Sequence, residues 1–285
     1  SSNYLISGNL FLTRDSFRQD VIDNSALILS MSRPPSLPAA ATNPVTQLLA
    51  SSGIVINPTE VYWEGQSLGS ILGTLNIAAN PRLTRSALNV GGGTVVDILT
   101  NAPAFATDVD ALLASLGIQP NTPQYLQFIL LAKWVLDPAE PVNVADNLLG
   151  DSSHPTLPNL LTMAASQAAK PALAQLAACD DTVPNAFNLE LDGLIGLGPV
   201  STTTSTLELF IDTTAAGGTC PLGVAAKSPG TVPHAFLTSW GVSLDAMGGV
   251  TVDANIGALT LVAQDQNAAF LVNPNQLPPA QQAQP

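Results

Sequence analysis

Residues Gly65-Gln66-Ser67-Leu68-Gly69 form a G-x-S-x-G pentapeptide. That spacing suits a serine on a very tight turn from strand to helix, because glycines two before and two after let the two elements approach without side-chain clashes. The helix that follows aims its N-terminal amides at the reacting oxygen, and the N–H of Leu68 is the expected oxyanion donor. A serine hydroxyl needs a base to become a nucleophile. The chain offers two histidines, His154 and His234. His154, in Asp151-Ser152-Ser153-His154-Pro155, falls inside a helical stretch and reads as a surface residue. His234, in Gly230-Thr231-Val232-Pro233-His234-Ala235-Phe236, follows the last strand candidate, where a catalytic loop is expected. Between serine and histidine lies Cys179-Asp180-Asp181-Thr182-Val183-Pro184-Asn185, with two adjacent carboxylates that cannot point the same way. Asp180 opens a D-x-x-V-P run and is the expected acid that orients the imidazole; Asp181 is the alternative. The resulting order along the chain is Ser, acid, His, a nucleophile followed by the residue that orients its base and then the base itself. Ordinary capping or solvation is the competing account of an Asp pair in a turn.

The elements that must position these residues follow from periodicity. Val61 to Trp63 reads as a short buried strand, and Leu68 to Ala79 carries helical spacing that Asn80-Pro81 stops. Arg85 to Val90 is a second strand, closed by Gly91-Gly92-Gly93. Asn9 to Met31 is helical, with Asp15 as its expected cap, and a Pro/Ser/Ala-rich loop covers Ser32 to Pro44. Asp108 to Leu148 reads as several helices broken at Pro120, Pro123, Pro138 and Pro141. Strand character returns at Ala172 to Ala177 and at Thr206 to Ile211. Val250 to Val272 begins with strand alternation, and Leu259 to Leu271 fits a helix. Asn273 to Pro285 is Pro/Gln/Ala-rich and reads as a disordered tail. Strands alternating with helices predict a parallel sheet with crossovers, an α/β fold over residues 1–272.

Eight basic residues stand against 21 acidic ones, a net charge of −13, so phosphate backbones are repelled and nucleic-acid binding is improbable. No apolar run is long enough to span a bilayer; the longest candidate, Tyr125 to Leu136, is interrupted by Gln127 and Lys133. Ser1-Ser2-Asn3-Tyr4 lacks the features of a signal peptide and reads as a processed end. Acidity and few lysines fit an exported protein, in which Cys179 and Cys220 are expected to pair. Cys179 directly precedes the acid and Cys220 follows the next strand, so a bridge there would pin the acid loop. Two buried thiols are the other possibility. Neither the histidines nor the cysteines have metal-ligand spacing, and no cofactor is implied.

Glu64-Gly65-Gln66-Ser67-Leu68-Gly69, Leu88-Asn89-Val90-Gly91-Gly92-Gly93, Asp137-Pro138-Ala139-Glu140-Pro141-Val142-Asn143, Asp180-Asp181-Thr182-Val183-Pro184-Asn185 and Pro233-His234-Ala235-Phe236-Leu237 stand in an order that resembles bacterial exported lipases and esterases of the α/β-hydrolase superfamily. Asn9 to Gln19 resembles the segment leading into the helix before the nucleophile strand. The resemblance implies ester hydrolysis through an acyl-enzyme, with Ser67, Asp180 and His234 in the matching places. One departure stands out. Only 66 residues precede Ser67, they hold one helix and one strand, and no His-Gly-Gly-Gly segment supplies a second oxyanion donor. The expected explanation is that the chain is the C-terminal product of a larger precursor whose N-terminal fragment stays bound and completes the sheet. Residues 101–159 are expected to form a cap or lid, with Tyr125 to Leu131 lining an acyl pocket, although an ordinary helical insertion is equally compatible. The expected function is a secreted carboxylic ester hydrolase acting on hydrophobic esters, in a setting where contact with a lipid surface would be natural. A polyester depolymerase with the same triad, and a non-catalytic binding protein on the same scaffold, are the alternatives.

Overall fold

The computed structural model describes residues 9–31, 44–54, 56–57, 59–198, 206–212, 230–244 and 249–275. Its centre is a four-stranded, wholly parallel sheet in the order β1 (Val61–Gln66), β2 (Leu83–Asn89), β3 (Ala172–Ala177), β4 (Leu207–Phe210). Register runs Gln66↔Asn89, Asn89↔Gln175 and Gln175↔Glu208, so these four residues form one row across the sheet near its carboxyl end. Sequential strands that pair in parallel need crossovers, and helices supply them. The α/β expectation therefore holds.

Helix α1 (Leu10–Met31) precedes the sheet, followed by α2 (Pro44–Ser51), which the apolar pattern did not reveal. The cap of α1 is Asn9, not Asp15: the Asn9 side chain accepts from Phe11 N–H at 3.1 Å and Leu12 N–H at 3.3 Å. Asp15 sits mid-helix, paired with Arg14 at 2.8 Å. Helix α3 (Leu68–Ala79) matches its expected bounds, with Asn80 as C-cap. Leu–Ile–Ala spacing buries nearly all of it between the sheet and α1, where Ile77, Ala78, Leu83 and Leu88 meet Ile28.

Between β2 and β3 run α4 (Val95–Asn101), α5 (Ala106–Ser115) and α6 (Pro123–Leu136), then three short 3-10 turns over residues 137–147. Prolines 123, 138 and 141 mark helix starts rather than ends, which suits a ring that fixes φ and lacks an N–H. Helix α7 (Asn185–Ile195) follows β3, and the short α8 (Phe236–Ser239) follows the histidine loop. A two-stranded antiparallel hairpin, β5 (Val242–Leu244) with β6 (Val250–Val252), leads into α9 (Ala254–Val272). That last helix starts five residues before the expected Leu259, because the Asp253 side chain accepts from Asn255 N–H at 2.9 Å and Ile256 N–H at 3.2 Å.

Strand β3 is buried along its whole length, as an interior strand must be. Strand β1 is an edge among the described residues, and only Gly65 in it is fully buried. No helix among the described residues is long and apolar enough to cross a membrane. The expected loop over 32–43, most of the expected tail (276–285) and Cys220 lie outside the described residues.

Candidate active site

The turns after β1 and β3 and the loop that carries His234 lie at the carboxyl end of the sheet. Ser67 leaves β1 with φ 56°, in the left-handed region that non-glycine residues rarely enter. Its N–H donates to the carbonyl of Asn89 at 2.8 Å, which ties the turn to the end of β2. The two glycines around it differ in what they do. A Cβ on Gly65 would collide with the backbone carbonyl of Gly69, whereas one on Gly69 would meet nothing within 4 Å. Trp63 fills the space beside this turn, and its indole N–H donates to the Gly69 carbonyl at 2.9 Å. Ser70 adds a second tie, its single hydroxyl proton shared between the carbonyls of Gly65 at 2.5 Å and Asn89 at 2.8 Å.

Asp180 and Asp181 sit in the turn after β3 and diverge. Asp180 is 1% exposed, and its Oδ1 accepts from the N–H groups of Thr182 and Val183, both at 2.9 Å. Its Oδ2 lies 2.7 Å from Nδ1 of His234. Asp181 turns away and accepts from the Thr182 hydroxyl at 3.0 Å. The carboxylate only accepts, so Nδ1 carries the proton and Nε2 of a neutral imidazole is the free base. That Nε2 is buried and has no hydrogen-bond partner among the described residues. In this arrangement Ser67 therefore does not yet bond to His234, although the two loops adjoin: Gln66 Nε2 donates to the His234 carbonyl at 3.0 Å.

Leu68 occupies the first turn of α3, where helix geometry leaves backbone donors without an intrahelical acceptor. Its N–H is one of these donors and follows Ser67 directly in the chain. His154, by contrast, is a surface residue, 3.5 Å from Asp146 and 3.9 Å from Asp151. Cys179 is fully buried and no described cysteine is a free thiol.

Ser67 opens into a small apolar pocket of about 40 Å³ lined by Leu68, Ile71, Val95, Leu99, Phe105 and Val183. Leu99 also lines a second, much larger apolar cavity of about 450 Å³ between α1, α4, α5 and α6, partly open to solvent. Phe128, Ile129, Ala132 and Val135 of α6 face into it. Within the expected Tyr125–Leu131 stretch, Phe128, Ile129 and Leu131 line this cavity, Leu131 at its exposed rim, while Leu126 and Leu130 are exposed and do not line it.

Sequence reasoning missed Gln66, which bridges the serine turn to the histidine loop, and Glu140, whose carboxylate caps α4 from across the fold. Both Glu140 oxygens lie on the Val95 N–H, at 3.2 and 2.9 Å. Burial pushes the Glu140 carboxyl up to about 7, against the pull of backbone hydrogen bonds from Val95 and Val96. Among the described residues no group of histidines, cysteines and carboxylates is arranged to hold a metal ion. No known protein-family model matches this chain, and no curated protein sequence is significantly similar to it.

Proposed function

We propose that this chain is the catalytic portion of a secreted serine carboxylic ester hydrolase built on an α/β-hydrolase-type sheet. The observation that carries this reading is the Asp180–His234 contact at 2.7 Å, in a loop that Gln66 ties to the turn of a serine held at φ 56°. In the reaction, Nε2 takes the proton of Ser67 as its Oγ attacks the ester carbonyl, and the new oxyanion meets the Leu68 N–H. The imidazolium, stabilised by Asp180, returns the proton to the leaving alkoxide. Water then attacks the acyl-enzyme by the same route and frees the acid. No step calls for a metal or organic cofactor.

The apolar pocket at Ser67 and the larger cavity beyond Leu99 favour hydrophobic acyl chains as substrate. Residues 101–159, which carry α5 and α6, would act as the cap over that cavity. The exposed Leu126, Leu130 and Trp134 on the outer side of α6 would meet a lipid surface. We retain the proposed Cys179–Cys220 bridge as part of an exported protein; mass analysis without prior reduction tests it. The N-terminal fragment of a larger precursor is proposed to add a parallel strand to the free edge of β1 and to bring the second oxyanion donor. A groove of about 540 Å³ between β1 and helices α8 and α9, lined by Glu64, Gln66, Thr238 and Gln264, leaves open space beside that strand.

The test is labelling with a fluorophosphonate probe. Ser67 is expected to be modified, and Ser67→Ala and His234→Ala are expected to abolish the reaction. A folded wild-type chain that the probe ignores would instead favour the non-catalytic binding protein.

A further inference from the structure

Gln66 occupies the variable position before the serine of the pentapeptide, where the motif itself asks for nothing. Its side chain is engaged at both ends. The amide N–H donates to the backbone carbonyl of His234 at 3.0 Å, and the amide oxygen accepts from the Thr238 hydroxyl at 3.0 Å. These two partners bracket the turn that enters α8, so one amide spans a loop of five residues. The far side of that loop is fastened to α9 by Gln264, whose amide donates to the Leu237 carbonyl at 2.9 Å, and by the Thr260 hydroxyl on the Phe236 carbonyl.

The loop needs such a clamp for a physical reason. His234 carries no link from its ring to β1, since Nδ1 is occupied by Asp180 on the β3 side and Nε2 is without a partner among the described residues. Its distance from Ser67 is therefore set by the backbone on which the ring hangs. Gln66 is covalently adjacent to Ser67, so an amide fixed to that backbone transmits the position of the serine turn directly. A complementary donor and acceptor at the two ends also define orientation, which a single hydrogen bond cannot do.

We infer that Gln66 is a positioning residue for the proposed hydrolysis: it fixes the backbone of the His234 loop against the serine turn, on which the approach of the Ser67 hydroxyl to Nε2 depends. The inference rests on the serine hydrolase reading above, and its effect falls on the chemical step rather than on substrate binding. Misplacement of a reacting group by about 1 Å costs on the order of a hundredfold.

The experiment compares the rate of fluorophosphonate labelling at Ser67, and the kcat and KM for a short ester, in the wild-type chain, Gln66→Met, Gln66→Glu and Thr238→Val. Gln66→Met keeps the length and removes both hydrogen bonds; labelling and kcat are expected to fall about ten- to a hundredfold with KM within about twofold. Thr238→Val removes one anchor and is expected to lose less, and the double variant to lose no more than Gln66→Met alone. Gln66→Glu keeps the acceptor for Thr238 but sets a carboxylate beside the histidine, so the pH midpoint of labelling is expected to rise, because a nearby anion favours the imidazolium. A purely structural residue would lower the melting temperature while the folded Gln66→Met variant labels at the wild-type rate. Wild-type rates and an unmoved midpoint in the Gln66 variants overturn the clamp while leaving the hydrolase reading intact. Failure of the wild-type chain to label overturns both.

Discussion

Replacing Glu140 by glutamine isolates the cost of burying a carboxylate beside Val95, which lines the pocket at Ser67. Glu140 lies between two 3-10 turns, is 5% exposed, and caps α4 in place of Thr94, whose hydroxyl is turned to Asp97 at 2.7 Å. Desolvation is the largest influence on it; Asp97 adds repulsion, and Lys133, itself paired with Asp97 at 2.6 Å, offsets part of it. The carboxyl rises from 4.5 to about 7. At about 1.4 kcal/mol per pH unit, that difference amounts to on the order of 3 kcal/mol. The sign follows from proton counting. Between these two values the folded state binds more protons than the unfolded one, so stability falls as pH rises through about 7 and the cost is fully present above it; it is relieved below about 4.5. A glutamine side chain would keep an oxygen for the Val95 N–H without titrating. We therefore expect Glu140→Gln to be more stable than the wild type at pH 8, by roughly 2–3 kcal/mol, with the gap closing toward pH 5. Urea unfolding of both proteins at half-unit intervals from pH 5 to pH 8 measures it. Asp192, pushed up by burial, and Lys170, pushed down to about 8 by burial, are common to both proteins and cancel in the difference. A gap that does not change with pH, or a variant weaker than wild type at pH 8, would refute the reasoning.

Three further outcomes are expected. Asp180→Asn keeps an oxygen for the Thr182 and Val183 amides but presents an N–H to Nδ1, which forces the wrong tautomer; ester turnover should drop about 10⁴-fold with the melting temperature little changed. Gly65→Ala should destabilise the chain by several kcal/mol through its backbone collision, measured by chemical unfolding, whereas Gly69→Ala should be neutral within about 1 kcal/mol. Ala132→Trp should fill the cavity behind Leu99 and remove the preference for long acyl chains, a preference worth about 0.8 kcal/mol per buried methylene, while short esters are hydrolysed as before. A chain-length series of esters reads this last effect.

What the sequence revealed, and what it hid, divides along physical lines. The serine turn was legible because G-x-S-x-G sits between a β-branched and aromatic run and a helix whose apolar period is uninterrupted up to Asn80. Strand β3 was legible because Ala172 to Ala177 is a short apolar run bounded by a proline and by Cys179-Asp180. Helix α7 escaped because Asn185, Asn188 and Asp192 are themselves buried. Asn185 caps β3 by donating to the Ala177 carbonyl at 2.8 Å and accepting from Cys179 N–H at 3.1 Å, and Asn188 reaches the Gly91 carbonyl. Polar residues that face inward erase the helical period. Glu140 and Gln66 escaped for a different reason: their partners lie 45 and 168 residues away, and no local pattern encodes such pairs.

The same end of the sheet concentrates two kinds of cost. Ser67, Val90 and Cys179 have φ of 56°, 44° and 58°, and each lies at or just beyond the carboxyl end of one of three adjacent strands. Left-handed backbone at a non-glycine residue costs on the order of 1–3 kcal/mol, most for a β-branched side chain such as valine. Each strained residue is held by its own N–H: Ser67 on the Asn89 carbonyl at 2.8 Å, Val90 on the Gln175 carbonyl at 2.8 Å, Cys179 on the Asn185 side chain at 3.1 Å. Asn89 and Gln175 belong to the polar row that crosses the sheet, where the Asn89 amide donates to Gln175 at 3.1 Å and Gln175 donates in turn to Gln266 at 3.1 Å. Buried amides in register are expensive unless they hold one another in place. An apolar row would suit a sheet that serves only as a core. Here the turns after β1 and β2 each hang from a carbonyl of the next strand, so displacing one would strain the other, and the serine, the acid and the amide that reaches the histidine all issue from that row or from the residues just beyond it.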